Sequence, residues 1–124
     1  MSRPRILIVD DEQHIVSLVS MTLRRSGYAV LTADNGPRAL ELADAFDVAL
    51  MVVDHSMPGM TGSELSKKVS GRFPVLMVTA KPELTEEERQ YAAGVMNKPF
   101  SPIELADRVE QIVGPGQPSK EQSA

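Results

Sequence analysis

Five short apolar runs recur along this chain, and four of them hand over at the end to an acid, a hydroxyl or an ammonium group. Ile6–Val9 is followed by Asp10-Asp11-Glu12, Val48–Val53 by Asp54, Pro74–Val78 by Thr79, and Val95–Asn97 by Lys98. The remaining run, Tyr28–Thr32, is the least apolar and reads as nearer a sheet edge. An uninterrupted apolar stretch this short reads as a strand buried on both faces. Such strands need helices on either side to cover them, and this need limits the fold more than any other feature of the chain.

The intervening segments supply those helices. Ile15, Leu18, Val19, Thr22 and Leu23 follow helical spacing, and Gly27 is a stop signal after Arg24-Arg25-Ser26. Asn35-Gly36-Pro37 opens a second helix, with proline where a missing N–H costs nothing, and Ala39, Leu42, Ala43 and Phe46 form its expected inner stripe. Capping-box spacing recurs at Thr61–Glu64, Thr85–Glu88 and Ser101–Glu104. The helix after Thr85 must be short, because Gly94 follows soon afterwards. The last helix turns Leu105, Val109, Ile112 and Val113 inward. The pattern predicts an α/β fold of five strand–helix units. All its strands are parallel, and right-handed crossovers place helices on both faces of the sheet.

At 124 residues the chain makes one domain with room for a real core. Its formal net charge is −4 and its basic residues gather only in pairs such as Arg24-Arg25 and Lys67-Lys68, which speaks against nucleic acid as a direct partner. With no cysteine, disulfides, thiolate metal sites and thiol catalysis are excluded. The N-terminal apolar run is too short for a signal peptide or membrane span, so a cytoplasmic location is expected. After Val113 the composition turns to Gly, Pro, Ser and charged residues, which reads as a disordered tail or linker over 114–124, following a folded domain over 1–113.

In an open parallel sheet, ligands bind outside the carboxyl ends of the strands. Asp10, Asp11, Asp54, Thr79 and Lys98 all sit at or just past such ends. Asp54 alone suits three roles: nucleophile, metal ligand or cap for the loop that Pro58-Gly59 forces. Taken singly, Asp10-Asp11 is more often a helix cap than a metal site, and Thr79 and Lys98 are ordinary strand-end residues. Capping accounts poorly for five such residues on four separate strand ends. Clustered carboxylates suit a hard cation such as Mg²⁺, and an ammonium and a hydroxyl beside them suit a phosphoryl group. Attack by Asp54 would then form an acyl phosphate. His14 and His55 read as surface residues and the methionines as core filler.

These residues resemble the receiver domain of two-component response regulators. The resemblance covers residues 4 to 113. It rests on Ile-Leu-Ile-Val-Asp-Asp-Glu at 6–12, Val-Val-Asp-His-Ser-Met-Pro-Gly-Met-Thr-Gly at 52–62, Val-Leu-Met-Val-Thr-Ala at 75–80 and Asn-Lys-Pro-Phe at 97–100. It implies a flavodoxin-like strand order of 2-1-3-4-5 and a phosphoacceptor role for Asp54. Asp11, Asp54 and the Ser56 backbone carbonyl would ligate Mg²⁺, with Asp10 acting through water or as a further acid. Thr79 would be the switch hydroxyl, with the small Ala80 beside it; Lys98 would pair with a phosphoryl oxygen, and the Lys98-Pro99 bond would be cis. The implied donor is a histidine kinase or phosphotransfer protein. The implied output is a downstream protein target, bound by a monomer or by a phosphorylation-dependent dimer.

Two departures stand out. The family usually carries an aromatic switch residue three positions before the lysine, and here that position is Val95. The intervals from Asp54 to Thr79 and from Thr79 to Lys98 are also several residues short of the family pattern. Tyr91 is the nearest aromatic but falls on a helix. Activation is therefore expected to be read out by rearrangement of the short fourth helix. Three other functions fit the sequence less well. An Asp-nucleophile phosphohydrolase would need a second acid two positions after Asp54, where Ser56 stands. A nucleotide-binding protein would need a Gly-rich phosphate loop, and none is present; a flavin carrier fails on similar grounds. A receiver cut from a longer transcription factor or hybrid kinase stays open, as does a pseudo-receiver that signals unphosphorylated.

Overall fold

The computed structural model describes residues 3–116. Five strands alternate with five helices: β1 (Arg5–Val9), α1 (Gln13–Arg25), β2 (Ala29–Ala33), α2 (Gly36–Ala45), β3 (Leu50–Asp54), α3 (Gly62–Lys68), β4 (Val75–Thr79), α4 (Glu86–Arg89), β5 (Gly94–Asn97) and α5 (Pro102–Val113). The strands form one parallel sheet in the order β2-β1-β3-β4-β5, as the resemblance implied.

Alternation along each strand divides the core in two. Leu7, Val9, Met51, Val53, Val75 and Met77 face α2 and α3, meeting Ala39, Leu42, Ala43, Leu65 and Val69. Ile6, Ile8, Leu50, Val52, Leu76 and Val78 face α1 and α5, meeting Val19, Leu23, Leu105 and Val109. Both faces of β3 and β4 are therefore buried, which is why those strands show no polar alternation in the sequence. β2 lies at an edge, in keeping with its mixed composition.

Some boundaries and side chains depart from the sequence reading. β3 starts later and keeps Asp54 as its last residue, paired with Val78, rather than releasing it into the loop. Thr79 likewise ends β4 opposite Asn97. Phe46 is exposed instead of lining α2, because the helix stops at Ala45 and Phe46 turns extended, its ring under the Arg5 guanidinium. Leu18 and Met21 are also exposed on α1. Thr61 and Thr85 form complete capping boxes. Ser101 makes only the forward half, accepting from the Glu104 N–H at 3.1 Å. Tyr28 is buried and donates its hydroxyl to the Gly114 carbonyl at 2.7 Å, tying the end of α5 to β2. Most of the expected tail, residues 117–124, lies outside the described residues.

α4 is the exception to the layered packing. It has four residues and none is buried. Its apolar anchors are Leu84, just before it, and the half-buried Ala92 just after.

Candidate functional site

Three strand ends converge at the carboxyl edge of the sheet. β1 delivers Asp10, β3 delivers Asp54 and the β5 exit delivers Lys98, all short of full exposure. The Asp10 side chain accepts the Glu12 N–H at 2.9 Å and so starts the turn into α1. Asp54 Oδ1 accepts the Ser56 N–H at 3.3 Å, which holds the carboxylate against the following loop. Gly62 lets α3 begin directly behind Asp54. A Cβ there would lie 2.8 Å from both the Asp54 carbonyl oxygen and the His55 Cα, and the Gly62 N–H donates to the His55 carbonyl at 2.9 Å.

The Lys98 ammonium sits among three acids. It is 3.2 Å from Asp10 Oδ2, 3.3 Å from Glu12 Oε1 and 3.5 Å from Asp54 Oδ2. Burial pushes the Asp54 carboxyl up, Asp10 adds to that, and Lys98 and the Ser56 N–H pull it back without cancelling it. Burial alone would lower Lys98; the Asp10 and Asp54 charges outweigh it and hold the ammonium above its ordinary range. One cation thus partly neutralises a site built from acids.

Carboxylate oxygens of Asp10, Glu12 and Asp54 lie within 4.8 Å of one another. This all-oxygen donor set fits a hard divalent cation such as Mg²⁺. Asp10 and Asp54 were expected at this edge from the sequence; Glu12, which joins them, was not named among the expected ligands. Asp11 is exposed and lies outside the group. No pattern of residue types could separate neighbouring acids; their side-chain directions leaving β1 do so.

Thr79 is buried, and its Oγ1 accepts the Lys81 N–H at 3.0 Å. Ser56 and Ala80 are exposed. The Lys98-Pro99 peptide is cis. Val95 is half-buried on β5 and packs against the α2–α3 side of the core.

His55 was read as a surface residue and is not. It is 5% exposed, and its Nε2 lies 3.3 Å from Glu88 Oε2. Glu88 also accepts the Lys81 ammonium at 2.7 Å. His14 is exposed, as expected, beside Glu12.

An aspartate, a lysine and a threonine thus stand on separate strand ends of one doubly wound sheet. The chain matches the family model of the response regulator receiver domain over residues 6–110, and it belongs to that family. It is 41% identical over 115 residues to the alkaline phosphatase synthesis transcriptional regulatory protein PhoP of Bacillus subtilis, covering 88% of this chain and 48% of that one. It is 36% identical over 113 residues to the transcriptional regulatory protein SrrA of Staphylococcus aureus, covering 87% and 47%. The chain therefore spans about half the length of these curated relatives. Among solved structures it superposes on the chemotaxis response regulator CheY4 of Vibrio cholerae with a TM-score of 0.80 at 33% identity, over 90% of this chain and 99% of that one. It also matches the response regulator TrrA of Thermotoga maritima, solved in complex with Mg²⁺ and BeF, with a TM-score of 0.81 at 29% identity, over 88% and 98%. Among the described residues no helix is long and apolar enough to cross a membrane.

Proposed function

We propose that Asp54 accepts a phosphoryl group from a phosphohistidine on a kinase or phosphotransfer protein, and that the resulting acyl phosphate switches a protein-binding surface. The observation that carries this reading is the convergence of Asp54, Asp10 and Lys98 within 3.5 Å contacts at one sheet edge. An Asp54 carboxylate oxygen attacks phosphorus, the P–N bond breaks, and the leaving imidazole takes up a proton. Lys98 then pairs with a phosphoryl oxygen. Thr79 gives up its bond from the Lys81 N–H to donate its hydroxyl to the same group. The same chemistry admits self-phosphorylation by a small acyl phosphate and slow hydrolysis afterwards.

Asp10, Asp11, Asp54 and the Ser56 carbonyl would hold Mg²⁺ in this reading. When bound, it supplies charge neutralisation for the transfer. Asp11 forms no hydrogen bond or ion pair among the described residues, so it can turn inward without breaking one. Glu12 already pairs with Lys98.

The domain would work in the cytoplasm, as a monomer or as a dimer formed on phosphorylation. A second arrangement is favoured by length. Relatives covered to only 48% and 47% point to a receiver whose output domain follows in the same chain, reached through a linker at 114–124. The test of the chemistry is incubation with acetyl phosphate and Mg²⁺, read by intact mass. One phosphoryl adduct is expected, absent in Asp54→Asn. No adduct on the unaltered protein would make the domain a pseudo-receiver.

A further inference from the structure

α4 has no buried side chain of its own, yet it lies against the site through one residue. The Glu88 carboxylate receives Lys81 Nζ at 2.7 Å and faces His55 Nε2 at 3.3 Å through the same oxygen. Its other oxygen accepts the Thr85 N–H at 2.9 Å, closing the capping box that starts the helix. Its backbone carbonyl accepts the Ser63 hydroxyl of α3 at 2.7 Å. His55 directly follows Asp54, and Lys81 lies two positions past Thr79. A single glutamate thus joins α4 to both loops that flank the acyl-phosphate position.

We propose that Glu88 is a polar latch, through which the state of Asp54 sets the position of α4 in place of the aromatic coupling that Val95 removes. This rests on the phosphoacceptor reading above. The Lys81 N–H donates to Thr79 Oγ1. When the Thr79 hydroxyl turns to a phosphoryl oxygen, that bond is lost and the Lys81 backbone is freed on one side. Its carbonyl stays tethered by the Asn97 side-chain amide at 2.6 Å, so the segment pivots rather than translates. The pivot draws the Lys81 ammonium from Glu88 toward the added negative charge. α4 then loses one of the two 2.7 Å bonds that Glu88 makes to other elements, the one from Lys81. With no apolar face of its own to hold it, the helix loosens or moves. Had α4 buried apolar residues, one ion pair at a half-exposed lysine would not decide its place.

Glu88→Gln and Lys81→Met test this in the full chain, the second leaving the capping box intact. Amide exchange is followed at Glu88, Arg89 and Ala92, with and without Mg²⁺ and fluoroberyllate. In the unaltered protein the analogue should speed exchange at these amides about fivefold. Both variants should exchange at the faster rate without the analogue and change little on adding it. Variants that keep the slow rate, or keep the full analogue response, overturn the latch. Acetyl phosphate labelling, read by mass, separates the two proposals. An adduct on Asp54 with analogue-insensitive exchange in the unaltered protein sinks the latch alone, and no adduct sinks the phosphoacceptor reading.

Discussion

Lys98 Nζ reaches Asp10 Oδ2 at 3.2 Å across 88 positions of sequence, and that contact places a cation inside an acidic cluster that would otherwise repel itself. Lys98→Met should therefore cost about 2 kcal/mol of stability without divalent cation, because Asp10, Glu12 and Asp54 lose their shared counter-charge. Saturating Mg²⁺ should recover most of that loss. Urea unfolding with and without Mg²⁺ checks it: the midpoint should respond more to Mg²⁺ in the variant than in the unaltered protein. Equal responses would show that Lys98 does not neutralise the cluster.

The acids leaving β1 differ in commitment. Asp11 is unpaired among the described residues, whereas Glu12 is bound to Lys98 at 3.3 Å. Asp11→Asn is expected to weaken Mg²⁺ binding by about tenfold or more, and Glu12→Gln by much less. Calorimetric titration of both variants decides which acid turns toward the ion. The reverse ranking would make Glu12 the ligand that the cation-free arrangement already presents.

Glu88 is held at about 2, first by the Lys81 hydrogen bond and then by the Thr85 N–H. A carboxyl lowered in the fold stabilises it above the ordinary value of 4.5, and that contribution is lost as pH falls toward 2. The stability advantage of the unaltered protein over Glu88→Gln should be full at neutral pH and shrink as pH falls through this window. Denaturant midpoints of both proteins across the acid range test the sign. An advantage that grows on acidification would contradict the pairing.

Gly62→Ala should destabilise by about 1–3 kcal/mol, since its Cβ would meet backbone atoms that cannot yield cheaply. Those atoms belong to Asp54 and His55, so adduct formation should slow as well. Lys67→Ala, exposed on the same helix, is the control and should stay within about 0.5 kcal/mol.

Local patterns carried most of the architecture. The apolar runs ending at Asp10, Asp54 and Thr79 marked central strands, because a strand covered on both faces has no polar side to display. The caps at Asn35, Thr61 and Thr85 were legible because a helix start satisfies its N–H groups within three residues. Phe46 misled, because helical spacing shows which face a residue would take but not that the helix stops one position earlier.

Sequence by itself determined the class of this protein: a parallel doubly wound sheet with Asp54, Thr79 and Lys98 at strand ends, since strand direction and length follow from short-range chemistry. Tertiary structure alone decided which acids face one another. It turned Glu12 toward Lys98 and left Asp11 outside, and it buried His55 against Glu88. Those choices depend on where side chains from separate strands and helices point once the sheet has formed, and neighbouring residues of the chain hold no record of that.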